Sequence, residues 1–214
     1  MDSGGEIDLS LLTELADAAA EAFGPDHPKT LIAQYNKAHG TGEAGNAADA
    51  CAQIDSLRAR IERLYGPNDD DTLALRAKHA YWTWRAGDVA AARDLYATLL
   101  PAMFARMGRE HPFVLGVREQ FAVCIALTGD VTEALQHFSS LVPEAARVLG
   151  AEHPDTFAAR TSLAAMTDQT GDKAGARQQL ADLLPVVKRA LGPRHPITHA
   201  VRGNLFRLDQ ELQR

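Results

Sequence analysis

The stretch Leu149–Arg160, "LGAEHPDTFAAR", places a His-Pro pair shortly after a glycine and just before an acid and a threonine. Histidine beside acids is compatible with an active site, a metal site or a structural turn. Four related stretches occur in the chain: "FGPDHPKT" from Phe23, "YGPNDDDT" from Tyr65, "MGREHPFV" from Met107 and "LGPRHPIT" from Leu191. All five glycines are spaced 42 residues apart. A fixed period of roughly 20 to 50 residues is typical of an array of structural repeats.

A second glycine series divides each period in two. These glycines lie at positions 45, 87, 129 and 171, within "GNAADA", "GDVAAA", "GDVTEA" and "GDKAGA". Two turn signals per period predict two helices per period. We call the helix after each His-Pro turn helix A and the helix after each Gly-Asp turn helix B.

Helix B carries a regular packing pattern, in which a small residue is followed by large residues four and seven positions later. The small residues are Ala50, Ala92, Ala134 and Ala176, and the large ones are Ile54, Tyr96, Phe138 and Leu180, then Leu57, Leu99, Leu141 and Leu183. This spacing predicts one buried face of an α-helix. Inside the same helix, Pro101, Pro143 and Pro185 predict a kink or a break into two shorter helices.

The His-Pro pairs fit a structural role. The proline would occupy the first position of helix A, where its missing N–H is harmless, and the histidine would then be the N-cap residue. The second repeat has Asp69 and Asp70 in these two places, and aspartate caps helices well, whereas a shared catalytic role would be lost. Equivalent histidines of neighbouring repeats would lie about 10 Å apart, but ligands of one zinc ion lie about 2 Å from it.

The sequence offers little support for an enzyme. HExxH, GxSxG and Walker motifs do not occur in it, and neither do CxxC pairs. We therefore predict no catalytic residue, no metal ligand, no cofactor and no enzymatic activity.

The composition limits the classes of partner that the chain is expected to bind. The formal net charge of −6 provides no basic field for nucleic acid or for an anionic membrane, and the apolar runs are too short to span a bilayer. Without a recognisable signal segment, a cytoplasmic location is expected. Cys51 and Cys124 lie at different places in the repeat and are expected to be small buried residues rather than a disulfide.

The pairs Ala92-x₃-Tyr96 and Ala134-x₃-Phe138, together with the "LGxxHPxT" linker and the 42-residue period, resemble tetratricopeptide repeats. The 42-residue period and the linker resemble the long repeats of kinesin light chains and their bacterial relatives. The resemblance implies an all-α, right-handed α-solenoid of antiparallel helix pairs. It also implies an adaptor that binds a protein or peptide rather than a catalyst.

The repeat predicts one array over residues 1–214. A single helix B occupies residues 1–23, four helix pairs occupy residues 24–191, and a capping helix A occupies residues 192–214. Gly40 and Gly42 lie in the first helix A, which is therefore expected to be short or frayed.

The resemblance implies that helix A lines a concave face that receives the partner. The matching positions are Asn36, Lys78, Tyr81, Trp84, Arg85, Glu119, Gln120, Ser162, Asn204 and Arg207. Tyrosine and tryptophan beside arginine are typical of binding hot spots. The alternative is that Ala77, Ala80, Tyr81 and Trp84 share one helical face and belong to the core.

An arginine series also recurs, with Gln34 in the first copy: Arg76, Arg118, Arg160 and Arg202. Stacked guanidinium groups could bind a carboxylate-rich partner. Repetition at one unvarying position instead favours arginines that pack between helices and bond local carbonyls or acids.

Two further hypotheses concern assembly. The chain could be a ligand-sensing or dimerisation segment of a larger signalling or transcription regulator. In the opening helix, Leu9, Leu12, Leu15 and Ala16 form an apolar stripe with no preceding repeat to cover its outer side, which predicts a symmetric homodimer through this helix. The final helix, with charges at Arg207, Asp209 and Glu211, is expected to be the better capped end.

Overall fold

The computed structural model describes residues 8–213, and this part of the chain forms ten α-helices and no strand. The predicted ranges 1–23 and 192–214 extend to residues 1–7 and 214, which lie outside the described residues. The helices are α1 (Leu9–Phe23), α2 (Pro28–Glu43), α3 (Ala47–Tyr65), α4 (Asp70–Arg85), α5 (Val89–Met107), α6 (Pro112–Leu127), α7 (Val131–Val148), α8 (Pro154–Gln169), α9 (Lys173–Leu191) and α10 (Pro196–Leu212). The all-α prediction is confirmed, and α1 and the odd-numbered helices after it are the predicted B helices.

The contacts divide the chain into two compact units, one ending at Arg106 and the other beginning at Met107. In the first unit, α1, α2, α3 and α4 pack each on the next, and an ion pair of 2.7 Å between Arg106 and Asp70 links the end of α5 to the start of α4. In the second unit, α6 to α10 also pack in sequence, and α8 contacts both α6 and α10. The organisation of all 214 residues as a single array stays a prediction.

The turn before each helix A has the predicted structure. His153 is the N-cap of α8, its Nδ1 accepts a hydrogen bond of 3.2 Å from the N–H of Asp155, and Pro154 begins the helix. Asp69 does the same for α4, where its carboxylate accepts a hydrogen bond of 3.0 Å from the N–H of Asp71. The predicted capping role of these histidines is therefore confirmed.

The threonine of the "HPxT" motif has a role that its spacing does not reveal. Its hydroxyl is buried and donates to the carbonyl oxygen of the glycine six residues earlier, across the turn. The pairs are Thr30 with Gly24, Thr72 with Gly66, Thr156 with Gly150, and Thr198 with Gly192. Because the glycine adopts a positive φ, 106° at Gly150, the chain reverses there and presents this carbonyl to the helix that follows.

The core consists of the predicted rows of helix B packed on the helix A before them. In the first unit, Leu31 and Ala38 of α2 lie in one cluster with the α3 residues Ala50, Ile54 and Leu57. The same arrangement recurs where α6 packs on α7 and where α8 packs on α9. Of the two alternatives predicted at the helix B prolines, a kink or a break, the break is wrong, since α5, α7 and α9 each continue through their proline.

The first helix A is also longer than expected. Although it contains Gly40 and Gly42, α2 is a regular helix of 16 residues. Both glycines are buried, and a Cβ at Gly42 would lie 2.2 Å from the indole ring of Trp82. Any larger residue at position 42 would therefore overlap the ring of Trp82. The packing of that ring on Gly42 compensates for the low helix propensity of glycine.

The same glycines belong to a segment, "GTGEAG" at residues 40–45, whose spacing is that of a GxGxxG motif. A dinucleotide-binding loop with this spacing follows a strand and opens a helix. Here the segment instead lies at the end of α2, and a helix precedes it rather than a strand. Its glycines therefore serve packing and the turn after α2, not the binding of a pyrophosphate.

Candidate partner-binding surface

Four of the predicted site residues meet on α4 in the first unit, and we call Lys78, Tyr81, Trp84 and Arg85 the aromatic–basic cluster. Tyr81 lies at its centre. The ring of Tyr81 lies 5.9 Å from the ammonium nitrogen of Lys78 and 5.7 Å from the guanidinium carbon of Arg85, and it meets the Trp84 ring edge-on at 6.1 Å. Arg85 Nη1 also donates a hydrogen bond of 2.8 Å to Tyr81 Oη, so the guanidinium is held in place.

The cluster rests on a buried residue that is absent from the predicted site. Trp82 is fully buried, its ring meets Tyr81 edge-on at 4.9 Å, and Arg85 lies 6.0 Å above it. The repeat contains the signal that could have identified it, because Cys124, Met166 and Leu208 occupy the same place in later repeats and are all buried.

The alternative interpretation of this helix, as core alone, holds for Ala77 and Ala80, which are buried. It holds in part for Tyr81, which is partly buried and packs against the core cluster that includes Leu75 and Trp82, while Trp84 is also partly buried. The helix therefore buries Ala77, Ala80 and Trp82, and it places Tyr81 and Trp84 at the margin between the core and the surface.

On α2, Asn36 is exposed and follows Tyr35, whose ring stacks on His39 at 6.0 Å. His39 in turn contacts Trp82 at 5.7 Å between ring centres. Burial raises the pKa of the Tyr35 hydroxyl. These ring contacts connect the α2 part of the surface to the aromatic–basic cluster.

The predicted residues of the second unit have a different character. Glu119 and Gln120 lie on α6 and Ser162 on α8, and all three are partly buried. Glu119 lines a small notch together with Asp155 of α8. The remaining lining residues are apolar or glycine: Leu115, Gly116, Leu141, Ala145, Leu149 and Ala159.

The surroundings of Glu119 change its ionisation. Burial raises the pKa of its carboxyl to about 7, and the negative charge of Asp155 contributes in the same direction. A carboxyl that titrates near neutral pH is a chemical property that the sequence pattern did not indicate.

At α10, Asn204 is partly buried and Arg207 is exposed. Arg207 forms ion pairs with Asp168 of α8 at 2.6 Å and with Glu211 at 2.8 Å. The structure thus uses Arg207 to join α10 to α8.

Two members of the arginine series, Arg118 and Arg202, bond locally, as their unvarying position favoured. Arg118 is buried, pairs with Glu144 and donates to the Arg109 carbonyl at 3.2 Å, while Arg202 donates to the Pro193 carbonyl at 3.0 Å. In the first repeat the roles are exchanged, because Arg60, at the place of Glu144, donates to Gln34, at the place of Arg118.

The described part of the chain offers neither a membrane span nor a metal-binding cluster. Within residues 8–213, no helix is long and apolar enough to cross a membrane. In the same range, no three histidine, cysteine or carboxylate side chains gather in a group that could hold a metal ion.

Comparisons with known proteins agree with this architecture. Residues 156–197, one period of the repeat, match the family described as Tetratricopeptide repeat. No curated protein matches the sequence.

Two solved structures share the fold over most of their length. A Podosopora anserina protein named as a kinesin light chain with nearly identical TPR-like repeats is 22% identical, with 85% of this chain and 86% of that chain covered and a TM-score of 0.69. BtubC (BKLC) from P. vanneervenii is 13% identical, with 98% of this chain and 91% of that chain covered and a TM-score of 0.72.

A third structure, a Rap protein complexed with Competence and Sporulation Factor, is 10% identical and has a TM-score of 0.56. The match covers 96% of this chain and 58% of that protein. Together these findings confirm the resemblance to tetratricopeptide repeats of the kinesin-light-chain type.

Proposed function

We propose that this protein is a non-catalytic interaction scaffold of the cytoplasm, and that the aromatic–basic cluster of the first unit binds a peptide segment of a partner protein. Tetratricopeptide-like folds are generally protein–protein interaction scaffolds. The observation that carries the proposal is the arrangement around Tyr81, where an exposed arginine is fixed by a hydrogen bond and a ring contact before any partner arrives.

This arrangement suits recognition because it lowers the entropic cost of binding. A guanidinium that already has one orientation loses little freedom when it engages a ligand. Lys78 and Arg85 would attract carboxylates of the partner, and the exposed edges of Tyr81 and Trp84 would cover an apolar side chain. Asn36, on the neighbouring surface of α2, can bond a peptide backbone.

The remaining predicted positions all lie in the second unit, where they would form a separate set of polar contacts. Glu119, Gln120 and Ser162 would supply them from α6 and α8, and Asn204 and Arg207 would supply them from α10. We expect them to contribute less than the aromatic–basic cluster, since Arg207 would have to give up its ion pairs with Asp168 and Glu211.

A phage-displayed library of short random peptides tests the proposal without knowledge of the natural partner. Peptides selected on the intact chain are synthesised, and their affinities are measured by fluorescence anisotropy. The variant with Lys78→Ala and Arg85→Ala should lose about tenfold or more in affinity, because it removes two charged contacts.

The matched control removes two exposed cations elsewhere, with Arg63→Ala on α3 and Lys188→Ala on α9. This control has the same net charge as the first variant, and it should bind the peptides as tightly as the unmodified chain does. Equal binding by both variants, with both folded by circular dichroism, would show that the cluster is not the binding surface.

One observation favours a second function, a ligand-sensing segment of a larger signalling regulator. The fold is shared with a Rap protein that was solved with Competence and Sporulation Factor. A complete gene that encodes a DNA-binding or nucleotide-binding domain beside this segment would support the second function over a stand-alone adaptor.

A further inference from the structure

The notch between α6 and α8 is open because α7 and α8 contribute small residues to it. Ala145 of α7 and Ala159 of α8 both line the notch. One repeat later, the same two places hold Val187 and Val201, and both valines are buried in one core cluster. The valines carry methyl groups that the two alanines lack, so the open space belongs to this repeat and not to the repeat pattern.

The first unit fills the same place with still larger side chains. It has Ile61 and Leu75 at the positions of Ala145 and Ala159, and both lie in its core cluster. Gly116 widens the notch on the α6 side, where a Cβ atom would meet nothing within 4 Å. Protein interiors are closely packed and leave few voids. Three small residues around one space therefore indicate room for a group from outside the chain.

The carboxyl group of Glu119 lies in this space without a counter-charge. It is partly buried, and in the part of the chain that the structure describes it accepts no hydrogen bond and forms no ion pair. Asp155 of α8 lines the same notch and is exposed. The neighbouring cations do not neutralise this pair, because Arg118 is bonded to Glu144 and Arg160 does not line the notch.

The lining determines which ligand chemistry fits. Apolar walls suit methylene groups, and two carboxyl groups on different helices suit a cation with several N–H donors. A metal ion such as Ca²⁺ is a poor match, since it takes about 6–8 oxygen ligands. A guanidinium group binds one carboxylate through two parallel bonds. An ammonium group on an unbranched stem is compact, and its N–H groups can reach carboxylates on two helices.

We propose that the notch is a binding site for a lysine side chain of a partner protein, with the ammonium group between Glu119 and Asp155 and the methylene stem against the alanines of α7 and α8. The notch is too small to enclose a free ligand as small-molecule pockets do. The cation therefore arrives on a protein that makes further contacts around the notch. This site lies in the second unit, so it can exist whether or not the aromatic–basic cluster binds a peptide.

Binding at this site should depend on pH. Burial and the negative charge of Asp155 raise the pKa of Glu119 to about 7, whereas lysine keeps its proton up to about pH 10. Among the described residues, α7 and the turn after it contribute apolar side chains to the notch: Leu141, Ala145 and Leu149. Because the ionised carboxylate is the form that attracts an ammonium group, the affinity should rise by up to about tenfold between pH 6 and pH 8.

A titration of the ¹⁵N-labelled 214-residue chain with N-acetyl-lysine-N-methylamide tests the proposal by NMR. At pH 8 the amide signals of Gly116, Glu119 and Asp155 should shift and reach saturation. The norleucine compound, which lacks the ammonium group, should cause no saturable shift. The arginine compound should bind more weakly than the lysine compound.

Two kinds of variant separate the charge of the site from its shape. Glu119→Gln keeps the shape and removes the charge, and it should weaken binding about tenfold or more. Ala159→Val keeps both carboxyl groups but fills the notch with the residue that α10 has at this place, and it should weaken binding as much. Ala145→Val fills the notch from α7 and provides a second variant of this kind. The matched control, Glu133→Gln, removes an exposed carboxyl group of α7 and should bind like the unmodified chain.

The proposal is overturned if the lysine compound causes no saturable shift at these amides, or if the norleucine compound binds equally well. It is also overturned if the affinity is unchanged in Glu119→Gln or in the two variants with a filled notch. The variant with Lys78→Ala and Arg85→Ala should bind the lysine compound normally, which distinguishes a failure of this site from a failure of the aromatic–basic cluster.

Discussion

The helix A faces of the two units occupy the same places in the repeat and carry different chemistry. In the first unit, α4 presents Lys78, Tyr81, Trp84 and Arg85. At the same places, α6 has Gln120, Val123, Ala126 and Leu127. The α6 residue Glu119 also stands where α4 has Ala77. The turns beneath both faces are built alike, with a capped helix A and, in the turns before α4 and α8, a buried threonine bonded to a glycine carbonyl. Positions that hold the fold are thus repeated, and positions on the helix A face are free to diverge.

The largest effect should come from the residue that supports the face of the first unit. Trp82→Ala should lower the free energy of unfolding by about 3–5 kcal/mol, because it empties the space of a fully buried ring. Trp84→Ala removes the same side chain from a partly exposed position on the same helix and should cost less than half as much. Urea unfolding followed by circular dichroism measures both values. Equal costs would mean that the aromatic–basic cluster is core rather than an open surface.

The sequence predicted the positions that recur in every repeat well, because the 42-residue spacing alone determines them. The capping role of His153, its replacement by Asp69 and the buried rows of helix B all follow from the 42-residue period. The two helices per period also follow from the two glycine series. The expected fraying of the first helix A does not, because Gly40 and Gly42 lie within the regular helix α2, where Trp82 packs on Gly42.

The properties of positions that differ between repeats were harder to predict from sequence. Residue type alone could not separate Trp82, which is buried, from Trp84, which is partly exposed. The period could have done so, because Cys124, Met166 and Leu208 occupy the place of Trp82 in later repeats. The pKa of Glu119 depends on how deeply α6 and α8 enclose it, which is a property of packing and not of spacing. The hydrogen bond of Thr156 depends on the direction of a carbonyl, which spacing does not specify either.

The second prediction concerns the face of the second unit and its response to pH. The pKa of Glu119 is about 7 in the folded protein against an ordinary value of 4.5. Between these values the folded state holds a proton that the unfolded state has released, so this group makes stability fall as the pH rises. The loss should begin near pH 4.5, be complete above about pH 7 and amount to no more than about 3 kcal/mol.

Glu119→Gln tests this prediction, because glutamine keeps the size of the side chain and cannot lose a proton. The variant should match the unmodified protein near pH 4 and be more stable near pH 8 when urea unfolding is compared at both pH values. Asp155→Asn should have a smaller effect in the same direction, since Asp155 is the lesser cause of the raised pKa. A Glu119→Gln variant that is less stable at pH 8 would show that the carboxylate is stabilised in the folded protein.

The third prediction concerns the turns that the two units share. Thr156→Val keeps the shape of a buried side chain but removes the hydrogen bond of 2.8 Å to the Gly150 carbonyl. The carbonyl then loses a partner, and the cost should be about 1–3 kcal/mol. Thr98→Val is the control, because the Thr98 hydroxyl is exposed and bonds only within its own helix. Equal costs would remove the turn threonine from the residues that hold the fold.

The smallest effect is expected at the N-cap of helix A, where α8 has His153 and α4 already has Asp69. His153→Asp should change the free energy of unfolding by less than about 0.5 kcal/mol, because Asp69 caps α4 through a hydrogen bond like that of His153. An added negative charge at the start of α8 is favoured by the helix dipole, and this gain offsets repulsion from the neighbouring Asp155. His153→Ala, which removes the cap altogether, should cost about 1 kcal/mol. Thermal melts of the three proteins, with and without added zinc, measure these differences. A loss of fold in His153→Asp, or a melting temperature that zinc raises in the unmodified protein alone, would mean that the histidine does more than cap the helix.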